Sequence, residues 1–108
     1  MSSPDTLARL EATIAARRGA DPDSRYVARL NARGAGKIAQ KLGEEATETV
    51  IAALTQDRAA LVGEAADLIF HLMVLLAARD VPLAEVLAEL DRREGVSGIA
   101  EKAARPRD

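Results

Sequence analysis

Two acidic pairs stand out in this 108-residue sequence by residue type and spacing. Glu45 and Glu48 lie three apart in GEEATETV (43–50), with Glu44 beside them, and Glu64 and Asp67 lie three apart in GEAADL (63–68). Like charges three or four apart on a helix repel. Each pair therefore costs free energy unless lysines or a cation neutralise it. Oxygen-only donors suit Mg²⁺ or Mn²⁺ rather than zinc or copper. Taken alone, a Glu-Glu-x-x-Glu run is also what a solvated helix face looks like, so the elements that carry the acids must decide.

Those elements read as helices. Ser3-Pro4-Asp5 is a helix start, and Leu7, Leu10 and Ile14 continue it to about Arg18-Gly19. GADPDS (19–24) has turn chemistry, Tyr26, Val27 and Leu30 make a short amphipathic piece, and Arg33-Gly34-Ala35-Gly36 is a second break. A long helix is predicted from about Gly36 to Thr55, with an apolar stripe of Ile38, Leu42, Ala46, Val50 and Ala53 and with Thr49 at its margin. On its wheel Lys37, Lys41, Glu44, Glu45 and Glu48 fall within about 100°, with Glu45 at the edge of the stripe. A third helix runs from Arg58 to Ala78 and is apolar on almost every side, which predicts burial. Past its first turn it holds Glu64, Asp67, His71 and Arg79, the first three within about 60° of one another. A fourth follows Val81-Pro82, with Val86, Leu87 and Leu90 on one face, and Gly95 ends it.

Short joints between long helices predict antiparallel neighbours. The expected fold is a single all-α domain over 1–108, an antiparallel bundle of four to five helices with a tail from about 95. Around the joint at 55–58, Glu48 lies about as far before the turn as Glu64 lies after it, so at ~1.5 Å rise per residue the pairs meet. Carboxylates facing one gap repel strongly without a cation. Ferritin-like di-metal bundles use Glu-x-x-His, a spacing absent here; the single His71 is four after Asp67. It is placed behind the acids, orienting Asp67 from one turn away.

Composition narrows the function classes. The net charge is −2, with one Tyr, one Phe and no Trp. There is no basic field for a nucleic-acid backbone, and few rings to stack on bases. With no cysteine there are no disulfides and no thiolate metal sites, which suits a cytoplasmic protein. The N-terminus lacks a signal-peptide core, and the apolar run from Leu68 to Ala78 is broken by His71 and is too short to span a bilayer. No membrane and no nucleic acid are expected as partners. The apolar faces of the first, third and fourth long helices exceed what one small domain covers, so a homodimer is expected.

Glu45-Ala-Thr-Glu48, fifteen residues, then Glu64-Ala-Ala-Asp67 resembles the signature of the all-α nucleotide pyrophosphohydrolase superfamily, which includes MazG-type enzymes. Within it, KIAQKLGEEATETVIAAL (37–54) and EAADLIFHLMVLLAARDVPLAEVLAELDRREGVSGIAEKAARP (64–106) resemble the phosphoribosyl-ATP pyrophosphatase family. The resemblance covers nearly the whole chain. It implies Mg²⁺-dependent cleavage of 1-(5-phosphoribosyl)-ATP, between the α and β phosphates, to phosphoribosyl-AMP and pyrophosphate. This is the second step of histidine biosynthesis. It implies Glu45, Glu48, Glu64 and Asp67 as metal ligands, with Glu44 as a further catalytic candidate that orients water, carries a second metal or pairs with Lys37 or Gln40. Lys37 and Lys41 are candidates to neutralise the triphosphate. Ser97, Gly98, Lys102 and Arg105 match the family's tail pattern and are expected to close over substrate from the same or a partner subunit.

The stretch Ser24-Arg25-Tyr26-Val27-Ala28 departs from the family's Ser-Tyr-Thr-Ala or Ser-Trp-Thr-Ala, with Val27 at the threonine position. Any hydroxyl role there is lost, and Tyr26 is assigned no catalysis. Backbone N–H groups around Arg33–Gly36 are candidates for phosphate at a helix start; a plain turn is the alternative. Gly43 either leaves room beside the site or is merely tolerated. Without cysteine or spare length, the chain is expected to be the stand-alone form rather than a fusion with the zinc-dependent cyclohydrolase. Two other functions stay open: a house-cleaning dNTP pyrophosphatase of the same superfamily, and a non-catalytic helical adaptor.

Overall fold

The computed structural model describes residues 5–95, and every regular element among them is an α-helix: α1 (Thr6–Arg17), α2 (Tyr26–Arg33), α3 (Ala35–Thr55), α4 (Arg58–Ala78) and α5 (Leu83–Arg93). The fold is all-α, as the sequence predicts. The expected cap at Ser3-Pro4 lies outside the described residues.

The breaks are made by identifiable chemistry. Asp21 Oδ1 accepts from the Asp23 N–H at 3.0 Å and turns the chain between α1 and α2. Gly34 adopts φ 91° between α2 and α3, a conformation that L side chains seldom take. Its N–H donates back to the carbonyls of Leu30 and Asn31, so that amide is not available to a phosphate. The joint after α3 needs only Gln56-Asp57, because the Asp57 carboxylate caps α4 by accepting from the Ala60 N–H at 2.9 Å. At the far end of α4, Asp80 stands in the left-handed region at φ 57°. The N–H groups of Asp80 and Val81 return to the carbonyls of Ala77 and Leu76, a Schellman ending with Asp in the usual glycine place.

The core gathers at one end of the α3–α4 hairpin. Ile14, Val27, Leu30, Ile38, Met73, Val74 and Leu83 are buried together there, drawing on all five helices. The α5 start is tied in by Glu11, whose Oε2 accepts from the Leu83 N–H at 2.7 Å. Among the described residues, the other end of the hairpin has no such cover. Val50, Ile51 and Leu54 of α3 and Val62 of α4 are exposed there, Leu54 at 79%.

This corrects two expectations. First, α4 is not buried within one chain: only His71, Met73 and Val74 are, while Ile69 and Leu72 are also exposed. An apolar circumference reports how much burial a helix needs, not how much its own chain supplies. Taken over its full length, α4 is also long and apolar enough to cross a membrane by length and composition, a test the shorter run from Leu68 failed. Charged groups within a membrane span are costly, and α4 carries Glu64 and Asp67 near its middle. Second, the inward face of α3 is rotated from the predicted stripe. Ile38 and Ala52 are buried, Leu42, Glu45, Ala46 and Thr49 half-buried, and Val50 and Ala53 exposed. Glu45 thus sits within the packed face rather than at its edge.

Removing the α4 cap should be measurable. Asp57→Ala is expected to cost about 1 kcal/mol and to lower the melting temperature by about 4–8 °C. An unchanged thermal transition in circular dichroism would show that the cap contributes nothing.

Candidate active site

The antiparallel hairpin brings acids from two helices to one point. Glu45, Glu48 and Glu64 each place a carboxylate oxygen within 4.8 Å of the others. Thr49 pins the helices at this height: its hydroxyl lies 2.8 Å from the Glu45 carbonyl and 3.2 Å from the Glu64 carbonyl across the interface. Glu48 is exposed at the mouth, while Glu45 and Glu64 are half-buried. One oxygen of each of these two, Oε2, is shut off from solvent and has no hydrogen-bond partner among the described residues. Asp67 is not part of the tight triad, but its charge reaches both Glu45 and Glu64.

The electrostatics follow from this crowding. Burial, then the hydrogen bond and charge of Glu48, then the charges of Asp67 and Glu64, push the Glu45 carboxyl up to about 7. Glu64 is raised by burial first, then by the hydrogen bond and charge of Glu48 and the charge of Asp67, against a hydrogen bond with Glu45 that lowers it. Buried acceptors without partners are costly, and a divalent cation is the ligand that both orphaned oxygens and the clustered charge fit. The donor set is all oxygen, so it suits Mg²⁺ or Mn²⁺.

Glu44 is not brought to this cluster. It accepts from Gln40 Nε2 at 2.9 Å and from Lys41 Nζ at 3.3 Å, and these two hydrogen bonds, Gln40's first, hold its carboxyl below the usual range. Of the roles left open for it, the structure displays the pairing with Gln40. Lys41 is raised by the same Glu44 bond, then by the Glu44 charge, the Tyr26 hydroxyl and Glu45. Lys37 lies one turn earlier, its charge also felt at Glu44. Gln40, Gly43, Glu44, Thr47 and Glu48 line a shallow depression of about 480 Å³ on the outer side of α3, which meets the acidic cluster at Glu48. A Cβ on Gly43 would touch nothing within 4 Å, so the fold itself does not require glycine there. Ser97, Gly98, Lys102 and Arg105 lie outside the described residues.

His71 is placed differently from expectation. Its Nδ1 lies 2.8 Å from the Asp67 backbone carbonyl, not against the carboxylate. That carbonyl can only accept, so Nδ1 carries the proton, and Nε2 accepts from the Tyr26 hydroxyl at 3.0 Å. Tyr26, Phe70 and His71 pack as a ring cluster, with Tyr26 stacked on Phe70 at 6.1 Å. Sequence reasoning missed this cluster and the Thr49 pin. The signal for Thr49 was its position one turn after Glu45; nothing in spacing linked Tyr26 to His71, 45 positions apart.

Comparison with known proteins agrees with this arrangement. Residues 7–94 match the family described as Phosphoribosyl-ATP pyrophosphohydrolase. The chain belongs to that family. A protein of Novosphingobium aromaticivorans named phosphoribosyl-ATP pyrophosphatase is 74% identical over 105 residues, covering 97% of this chain and 98% of the relative. Relatives with the same name in Erythrobacter litoralis and Rhizorhabdus wittichii are 74% and 72% identical, each covering 94% of this chain and 97% and 96% of their own lengths. Family membership extends over the helices that carry the acidic cluster.

The cluster should show in the pH dependence of stability. A carboxyl whose folded pKa lies above its unfolded value binds protons more tightly in the native state, so stability falls as pH rises between the two values. For Glu45 that window is from 4.5 to about 7. In EDTA the melting temperature is expected to decline from pH 5 to pH 8, with Mg²⁺ restoring it at pH 8. Glu45→Gln should flatten the decline and raise the pH 8 value by roughly 5 °C, the shift that about 1 kcal/mol produces in a small domain. Differential scanning calorimetry would refute this if wild type and variant ran parallel.

Proposed function

We propose that this protein hydrolyses 1-(5-phosphoribosyl)-ATP to 1-(5-phosphoribosyl)-AMP and pyrophosphate, the second step of histidine biosynthesis, with Mg²⁺ or Mn²⁺ held by Glu45, Glu48, Glu64 and Asp67. The observation that carries the reading is the pair of orphaned oxygens, Glu45 Oε2 and Glu64 Oε2, on two members of the acidic cluster at the α3–α4 seam. Membership of the family and the names of the relatives support the substrate. When bound, the cation neutralises phosphate oxygens and favours attack by water on the anhydride.

The chain's own residues then divide the work. Glu45 and Glu64 present fixed, half-buried carboxylates that need no reorganisation on binding. Glu48, at the mouth, adjoins the depression on α3 and supplies the ligand nearest to incoming phosphate. Lys41 is held by Glu44 one turn along α3 and, with Lys37, offers positive charge to the polyphosphate. Glu44 acts on substrate through Lys41, as a positioning residue. The family resemblance supports Ser97, Gly98, Lys102 and Arg105 as further substrate-binding residues, from the same or a partner subunit.

The enzyme works as a soluble cytoplasmic homodimer. The exposed apolar side chains at the bare end of the hairpin, Val50, Ile51, Leu54 and Val62, support a second copy as their cover. Light scattering at micromolar concentration is expected to give the mass of two chains, and a monomer would contradict this.

Pyrophosphate release from phosphoribosyl-ATP is expected with Mg²⁺ and to vanish in EDTA. Glu48→Gln and Asp67→Asn should each lower kcat at least about a hundredfold without loss of fold. Faster turnover of dNTPs than of phosphoribosyl-ATP would favour a house-cleaning role. Indifference to EDTA and to both variants would favour an adaptor.

A further inference from the structure

A pyrophosphatase that acts on phosphoribosyl-ATP has a purine to hold as well as phosphates, and no role assigned so far does so. Bases are commonly held against aromatic rings, whose π faces accept them. This chain offers few: one Tyr, one Phe and no Trp in the whole sequence. The fold puts both rings in one place. Tyr26, at the first position of α2, stacks on Phe70 with an interplanar angle of 23°, and both meet the edge of His71.

The tyrosine is held rigidly yet left open. Its hydroxyl is bonded to His71 Nε2 at 3.0 Å, and His71 is locked in turn by Nδ1 on the Asp67 carbonyl. Phe70 and His71 are half-buried and buried, whereas Tyr26 remains 43% exposed. Its location matters as much. One imidazole separates its hydroxyl from the helical turn that bears Asp67, and Lys41 lies within electrostatic reach of both Tyr26 and Glu45. The ring therefore stands beside the turn whose Asp67 charge reaches the acidic cluster.

We propose that Tyr26 is the stacking platform for the purine of the substrate, pre-oriented by His71 and Phe70, and so a determinant of affinity. The proposal rests on the phosphoribosyl-ATP reading above. It assigns Tyr26 a role in binding and leaves bond cleavage to the acidic cluster.

Because the chain has a single Tyr and no Trp, intrinsic tyrosine emission reports on Tyr26 alone. Titrating wild type with phosphoribosyl-AMP in Mg²⁺ is expected to quench that emission saturably, whereas pyrophosphate should not. In steady-state kinetics Tyr26→Leu should raise KM for phosphoribosyl-ATP about tenfold, with kcat changed less than about threefold. Tyr26→Phe keeps the ring face and should recover most of the loss. Melting curves of both variants separate lost folding from lost binding: a structural role predicts lower stability and a lower active fraction with unchanged KM. If wild type turns over phosphoribosyl-ATP but Tyr26→Leu keeps the wild-type KM, or nucleotide leaves the emission unaltered, the proposal fails alone. If wild type does not turn the substrate over, the functional reading fails and the proposal with it.

Discussion

The structure depends on a repulsion. Three glutamates from two helices hold oxygens within 4.8 Å of one another, with two of those side chains turned partly out of water. Like charges held this close with reduced solvation work against folding. What keeps them there is the surrounding architecture: a two-residue joint capped by Asp57 that sets α3 against α4, and the Thr49 hydroxyl lying between the carbonyls of Glu45 and Glu64. These contacts, made by groups outside the acidic cluster, fix the backbone, and the acids inherit their positions from it. A cation then has little left to organise, which is the condition for strong electrostatic assistance to a reacting phosphate.

The placement of the core explains why the site lies where it does. Apolar packing concentrates at the end of the hairpin that α1, α2 and α5 surround, and it is nearly absent at the end near residues 50–62. The carboxylates stand between these regions. On the packed side the ring cluster of Tyr26, Phe70 and His71 backs onto the turn bearing Asp67. On the other side lie the exposed Val50, Leu54 and Val62, which need cover that the described residues do not provide. In the proposed dimer the site therefore sits close to the interface.

Much of this was legible in the sequence, for physical reasons. The helix ends were marked by Gly34, Asp57 and Pro82, so the boundaries of α3 and α4 came within a residue or two. The height match of Glu48 and Glu64 followed from helical rise and the short joint alone. Burial was less legible. The stripe on α3 was assigned by apolar character, but Ala52 and Thr49 face inward while Val50 faces out, because the partner helix and not side-chain hydropathy sets which face packs. The apolar circumference of α4 was taken for burial when it marks surface still to be covered. Long-range polar contacts, such as Tyr26 with His71 and Glu11 with the start of α5, left no trace in spacing. The role of Glu44 was open in the sequence because one helix face holds both lysines and acids; the geometry turns it toward Gln40 and Lys41.

The central claim is that the α3–α4 acidic cluster is a divalent-cation site. Calorimetric titration of Mg²⁺ or Mn²⁺ into the metal-free protein near pH 7, repeated in buffers of different ionisation enthalpy, tests it most directly. A cation binding at a Glu45 carboxyl held at about 7 must displace the proton it carries in part. The account predicts saturable binding with a buffer-dependent heat equal to release of a fraction of a proton, both lost in Glu64→Gln. Absence of saturable binding by the wild type, or binding that Glu64→Gln leaves intact, would contradict it.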